Sequence, residues 1–241
     1  PGQLPFPTVP SVISISANGS GGPMLPQGSD IARDNYGHSY LSANEIGQSG
    51  FSSLSFKTPN TIEFNSGVDL TANRSIVLDA PALKWNPSSP DQGSVTLKAP
   101  YIALGSTQTR PGSVTAAAGT GSLKASAGLI DLVGSAATQG FGTTQLESSG
   151  DMRLVGVRTS QQQRNLLGEF LTAGDITLSA NQLYPTTLSE FRVAIQNNPT
   201  GTLTVAQTGP ANNSPLLSAG GKLTLEAANI IQSGTLRAPL G

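Results

Sequence analysis

The stretch "GSVTLKAPYIALG", which begins at Gly93, returns as "GKLTLEAANIIQSG" at Gly221. A chain that repeats one short phrase is a stack of like units before it is anything else. Written as a template, the phrase is Gly, any residue, apolar, Thr, Leu, any residue, Ala, then a further apolar residue three positions on. "RSIVLDAPALKW" puts Ile76, Leu78, Ala80 and Leu83 on the positions of Val95, Leu97, Ala99 and Ile102. "GSLKASAGLIDL" supplies Leu123, Ala125, Ala127 and Ile130, and "GDITLSANQL" supplies Ile176, Leu178, Ala180 and Leu183. "GDMRLVGV" and "GTLTVAQ" are shorter copies, and "SSLSFKTP" and "PSVISISAN" are weaker ones upstream. From residue 74 the copies start at 74, 93, 121, 150, 174, 201 and 221, so the period is near 25 and uneven.

Within each copy the apolar residues alternate, which is the signature of a strand with one buried face and fits no helical period. Pro81, Pro100 and Pro239 each follow the Ala, where a missing N–H would harm a ladder unless the chain has already turned. Each unit is therefore a strand followed by a corner. Such a unit cannot bury its apolar face alone, but stacking on its neighbours at ~4.8 Å can. The pattern predicts an all-β parallel β-helix, a solenoid with short helical turns. An antiparallel sandwich or barrel is the alternative, but it would show hairpin turns between runs, and the sole Asn-Gly, at Asn18-Gly19, lies outside the main array. The uneven period means corner loops that grow or shrink by about ten residues while the strands stay fixed. The spacing swells between 105 and 120 and between 157 and 173, and specificity is expected there.

Two segments break the pattern. "LSANEIGQSG" carries Ser42 three residues before Glu45, with Gly47 soon after, a capping and stop arrangement for about one helical turn. "RTSQQQRNLLGEF", from Arg158 to Phe170, is the most polar and helix-permissive stretch and predicts a surface excursion. Residues 1–50 are expected to form a Pro/Gly-rich coil and capping segment packed on the solenoid. Residues 51–241 are expected to form one continuous array of roughly eight coils.

Composition supports this reading and narrows the function. Only 11% of the 241 residues are charged, against 28 Gly and 17 Pro, a balance that favours strands and turns. The net charge is -1 and the basic residues are scattered, so nucleic acid is not an expected partner. There is no cysteine. No apolar run reaches the ~18 residues that cross a bilayer, and "PGQLPFPTVP" lacks a signal-peptide layout. Lacking an initiating Met and ending in mid-pattern at "RAPLG", the chain reads as an excised segment.

The phrases "DIARDNYGHSYLSANEIGQSGFSSLSF", "VDLTANRSIVLDAPAL" and "APYIALGSTQT", with "GDITLSA", "GKLTLEAANI" and "LRAPLG", resemble the filamentous haemagglutinin-like exoproteins of two-partner secretion in Gram-negative bacteria. That family includes adhesins and contact-dependent growth inhibition proteins, and the resemblance spans essentially the whole chain. It implies a right-handed β-helical filament, export through an outer-membrane secretion partner, a secreted or cell-surface location and a task in contact with other cells. The absence of cysteine then fits a chain threaded unfolded through an oxidising periplasm. Neither a secretion-signal domain nor a toxin-like terminus is recognisable, so an internal piece of a longer filament is expected.

Parallel β-helices also carry polysaccharide-cleaving enzymes, which need paired carboxylates or an acidic calcium cluster. Asp79 and Glu226 take outward slots between Leu and Ala, whereas Asp151 and Asp175 follow the leading Gly. With Asp131 they occupy different coil positions that need not meet, and are expected to be solvated carboxylates that keep the shaft soluble. No catalytic residue, metal ligand or cofactor is assigned. The single histidine lies in "RDNYGHSY" with Asp34, Tyr36 and Tyr40, a group that fits a structural turn or a glycan platform. Trp85 falls on an inward position. The expected function is binding to a target-cell surface receptor, protein or glycan including lipopolysaccharide, by a monomer. The candidate contact residues are Tyr36, His38, Tyr40, Arg110, Arg158, Gln161, Gln162 and Arg164. A passive spacer and a carbohydrate-active enzyme are the alternatives.

Overall fold

Alternating apolar residues, short segments and abundant Gly and Pro leave strands as the economical way to satisfy this backbone. The computed structural model describes residues 11–19, 36–87, 93–160, 164–210, 216 and 218–240. Among them the chain is almost wholly β, with one short helix and nineteen strands joined in a single curled sheet. The first strands are β1 (Val12–Ser16), β2 (His38–Ser42), β3 (Ser53–Lys57), β4 (Thr61–Phe64), β5 (Val68–Thr71), β6 (Ser75–Asp79) and β7 (Ala82–Trp85). Then come β8 (Ser94–Lys98), β9 (Tyr101–Ser106), β10 (Ala117–Ala127), the long β11 (Leu129–Ser148), β12 (Asp151–Val155) and β13 (Leu166–Thr172). The last are β14 (Asp175–Ala180), β15 (Gln182–Pro185), β16 (Ser189–Ile195), β17 (Thr202–Gln207), β18 (Lys222–Glu226) and β19 (Asn229–Gln232).

Every pairing between these strands is parallel, and the pairings fall into three ladders. The first runs β2, β1, β4, β7, β11, β13, β16, β18. The second runs β3, β6, β9, β11, β12, β15. The third runs β5, β8, β10, β11, β14, β17, β19. Strand β11 serves all three ladders without a break. It passes two corners at Gly134 and Gly140, whose φ values of 57° and 76° suit glycine. A Cβ at Gly134 would lie 1.9 Å from the Ser106 carbonyl oxygen, so that corner is closed to any larger residue.

Like residues stack along each ladder. Leu54, Ile76, Ile102, Ile130, Met152 and Leu183 form one column of the second ladder, and Leu70, Leu97, Ala125, Leu146, Leu178 and Val205 form one of the third. These columns belong to one buried cluster running from Ile15 to Val205, where each large side chain contributes ~1.5–3 kcal/mol by leaving water. The copies of the repeat do not stack in the order they are written. Ile76 opposes Ile102, while Val95 opposes Val68 and Leu123. Each copy is a strand, a corner and the start of the next strand, and it can serve any ladder because all three ask for the same inward alternation.

Helix α1 (Ala43–Gln48) lies against β5 at one end of the sheet. The Ser42 hydroxyl accepts the Glu45 N–H at 3.2 Å, as the capping pattern predicts. The helix runs through Gly47, however, and stops at Ser49 ahead of Gly50, which has φ 70°. The predicted 158–170 excursion is shorter than expected, because Leu166 onward is β13.

Candidate functional site

Two departures from the regular ladders leave from one corner, where the chain passes from the second ladder to the first. The segment 107–116 follows β9 without adding a strand to the first ladder, so β7 pairs directly with β11, Ala82 opposite Ala137. It is strapped across the outer side of that ladder. Gly112 N–H donates to the Glu169 carboxylate, Ala116 N–H to Gln196 Oε1 at 3.1 Å, and Gln139 Nε2 to the Thr115 carbonyl at 2.9 Å. Beneath it Val114 and Ala116 pack on Ala137, Leu171, Ala173 and Ala194, a second apolar cluster outside the main core. Arg110 is exposed on this strap.

The second excursion, 156–165, is pinched at its base, where Val157 and Leu167 exchange N–H···O bonds of 2.8 and 3.0 Å. Arg158 and Arg164 are exposed on it, and Gln161 and Gln162 lie outside the described residues. The structure thus places Arg110, Arg158 and Arg164 on one corner. A third excursion after β17, unforeseen from the spacing, skips the second ladder, so that Leu183 bridges directly to Leu236. It returns to the same corner, where Leu188 N–H donates to the Ala219 carbonyl at 3.0 Å.

The other expected contact residues lie apart from this corner, His38 and Tyr40 on β2 at the far edge of the first ladder and Tyr36 in the turn before it. His38 and Tyr40 stack with ring centroids 6.1 Å apart and 20° between planes. Tyr36 is 41% exposed, and Asp34 lies outside the described residues.

Beside the strap, the outer side of the first ladder carries a charged row. Arg192 reaches Glu169 at 3.5 Å and Glu226 at 2.6 Å. Glu169 is only 3% exposed although it points away from the core, because the strap covers it. The hydrogen bond to Glu226 raises the Arg192 pKa and lowers that of Glu226. Between Pro111 and strands β13, β16 and β18 lies a hollow of about 170 Å³, with Leu167 below and Glu169, Glu190, Arg192, Lys222 and Thr224 around it. Asn165 donates to Glu190. Arg110, Arg158, Arg164 and Lys222 take part in none of the five ion pairs among the described residues.

The second ladder corrects the expectation that Asp131 and Asp151 are solvated and unrelated. Asp131 is 4% exposed; it accepts from Arg153 Nε and Nη2 at 2.7 Å each and from the Tyr101 hydroxyl at 2.8 Å. Asp151 accepts from Gln182 at 2.9 Å and from Tyr184 at 3.1 Å. Arg153 opposes both Asp131 and Tyr184 in register, so the two groups form one outward cluster. Burial, then the Asp131 carboxylate, pushes the Tyr101 phenol up to about 12, and burial with the Asp151 charge does the same to Tyr184. Asp79 also differs from a free carboxylate: burial alone would raise its pKa, but bonds from Lys57 and Thr107 outweigh that and lower it. Each of these carboxylates is engaged by neighbours, an arrangement that fixes side chains on the sheet.

Trp85 is a core residue, as its inward position predicts, packed 6.3 Å from Phe141. Glu169, Arg192 and Lys222 were not singled out by sequence. The available signal was opposite charge in outward slots that stack, and it becomes readable only once the ladder register is known. A larger groove of about 410 Å³ follows the corner between the third and second ladders past Ala72, Ala99, Ala127 and Gly128. Its charged groups, Lys98 and Glu147, are held by no partner among the described residues.

Compared with protein-family models, curated proteins and solved structures, the chain has no match.

Proposed function

We propose that the chain is a right-handed parallel β-helix forming a non-catalytic, secreted binding segment of a filamentous bacterial exoprotein. It engages a target-cell surface receptor in contact-dependent growth inhibition or adhesion. The single observation that carries this reading is that two excursions leave from one corner and a third returns to it. The core columns tolerate little change, yet the chain repeatedly spends residues there on segments that add nothing to the ladders. In a shaft that only set distance, corner loops would be short on every side. The filament and the outer-membrane secretion partner rest on the resemblance of the sequence phrases. Binding by corner loops rests on the placement of Arg110, Arg158 and Arg164.

The continuous core favours a second reading, a passive spacer whose loops bind nothing. Labelled purified protein added to a panel of Gram-negative cells separates the two. Saturable binding that unlabelled protein displaces is the expected result, and no binding to any strain leaves the spacer.

A further inference from the structure

We infer that the hollow beside the strap is a subsite for an acidic sugar, a carboxylate-bearing ring of a surface polysaccharide. This deepens the receptor-binding reading and rests on it. The hollow joins two kinds of surface. Pro111 and Leu167, both half-buried, give an apolar floor on which the C–H face of a ring can lie, and Glu169, Glu190, Arg192, Lys222 and Thr224 stand around it. That mixture of apolar floor and few polar groups is what ligand sites present. Arg192 is held from two sides by Glu169 and Glu226, so its guanidinium is ordered before any ligand arrives. Those two contacts use only part of its five N–H donors. Lys222 has no carboxylate of its own within ion-pair distance among the described residues, and Arg110 stands on the strap above.

Charge points the same way. The lining itself is balanced, Glu169 and Glu190 against Arg192 and Lys222, and the exposed Arg110 and Arg164 tip that balance from beside Pro111 and beside Asn165, which donates to Glu190. The chain as a whole carries -1. A locally cationic site on a slightly anionic molecule selects an anionic partner and draws it in. A ring that offers hydroxyls to Glu190 and Thr224 as well as a carboxylate to Lys222 and Arg192 uses each of these groups; an acidic peptide leaves the apolar floor and Glu190 unused. The groove at the opposite corner is larger, but nothing holds its Lys98 or Glu147 in place.

The test is calorimetric titration of the whole chain with a galacturonic acid tetramer, a neutral maltotetraose and a hexaglutamate peptide. The tetrauronate should bind, about tenfold more weakly in Lys222→Ala or Arg110→Ala and undetectably in Lys222→Glu, with circular dichroism and melting unchanged. Raising the salt from low to high concentration should weaken it further. Equal binding of the neutral tetramer, tighter binding of the peptide, or unchanged affinity in all three variants overturns the inference. Cell binding separates this outcome from the parent reading. If the unaltered chain binds cells and Lys222→Glu binds them equally well, the acidic-sugar site falls and the receptor-binding reading stands. If the unaltered chain binds no cells, the receptor-binding reading falls, whatever the titration gives.

Discussion

Thr144 sits in an inward column of the third ladder between Leu123 and Ile176, fully buried, and its hydroxyl has no hydrogen-bond partner. The neighbours above and below are aliphatic, so nothing there answers a donor or an acceptor. A buried hydroxyl without a partner costs ~1–3 kcal/mol, whereas valine has the same branched shape and adds a methyl group worth ~0.8 kcal/mol on burial. Thr144→Val should therefore stabilise the protein by about 1–2 kcal/mol. In a chain of this length that is a rise of about 2–8 °C in melting temperature and a higher urea midpoint at unchanged slope.

Thr144→Ser separates polarity from volume. It keeps the hydroxyl and removes the methyl, so it should lower stability by about 0.5–1.5 kcal/mol, the range of an Ile→Val truncation. The two substitutions must move in opposite directions. If Thr144→Val lowers the midpoint, the hydroxyl is bonded in the folded protein and the assignment of this column as wholly apolar is wrong.

Other consequences are equally concrete. Spectrophotometric titration should find two of the four tyrosines ionising near pH 12, Tyr101 and Tyr184. Because their folded pKa lies above the ordinary 10, the stability they confer is complete below pH 10 and is lost as pH rises from 10 to 12; midpoints that stay flat across that window refute the linkage. Gly134→Ala places a Cβ against the Ser106 carbonyl at a positive φ and should cost more than about 2 kcal/mol, measured by urea unfolding; a neutral result would mean that the corner is not closed. Glu169→Ala removes the acceptor for Gly112 N–H and should speed hydrogen exchange at Gly112 and Ala116 by about tenfold while β14 and β17 stay protected. Unchanged exchange at the strap would show that it is held elsewhere.

Much of the fold was legible because the signal is repeated. Alternation at Ile76 and Leu78, or at Ile176 and Leu178, fixes which side chains face inward, and Pro81 and Pro100 mark two corners where the strands end. Which copy stacks on which was not legible. The strand beginning at Ser75 and the one beginning at Ser94 meet the same requirement, and only the number of residues spent at each corner decides that Ile102, rather than Val95, lies over Ile76. The long β11 hid for a related reason. Ser135, Thr138 and Thr144 are polar residues at buried positions, so they blur the alternation in the one strand that joins all three ladders.

The candidate site was legible in position and not in content. Swollen spacing after residue 105 and after residue 157 marked where the chain leaves the ladders, and Arg110, Arg158 and Arg164 stand there. The residues that give the corner its chemistry are spread over three strands, Glu169 on β13, Arg192 on β16 and Lys222 on β18. In sequence each is an isolated outward charge, for which solvation is the default expectation. Parallel register turns such charges into neighbours: Glu169 opposes Arg192, and Glu190 opposes Lys222. The same register brings Asp131 to Arg153. Outward pairs of opposite sign thus recur on two ladders, but on the first a strap covers Glu169, and Lys222 beside it lies in none of the ion pairs among the described residues. A regular stack makes such rows at little cost in specificity of fold, since outward slots are free of the core. A functional surface can therefore arise on this chain by changing outward residues and corner lengths while every inward column is kept.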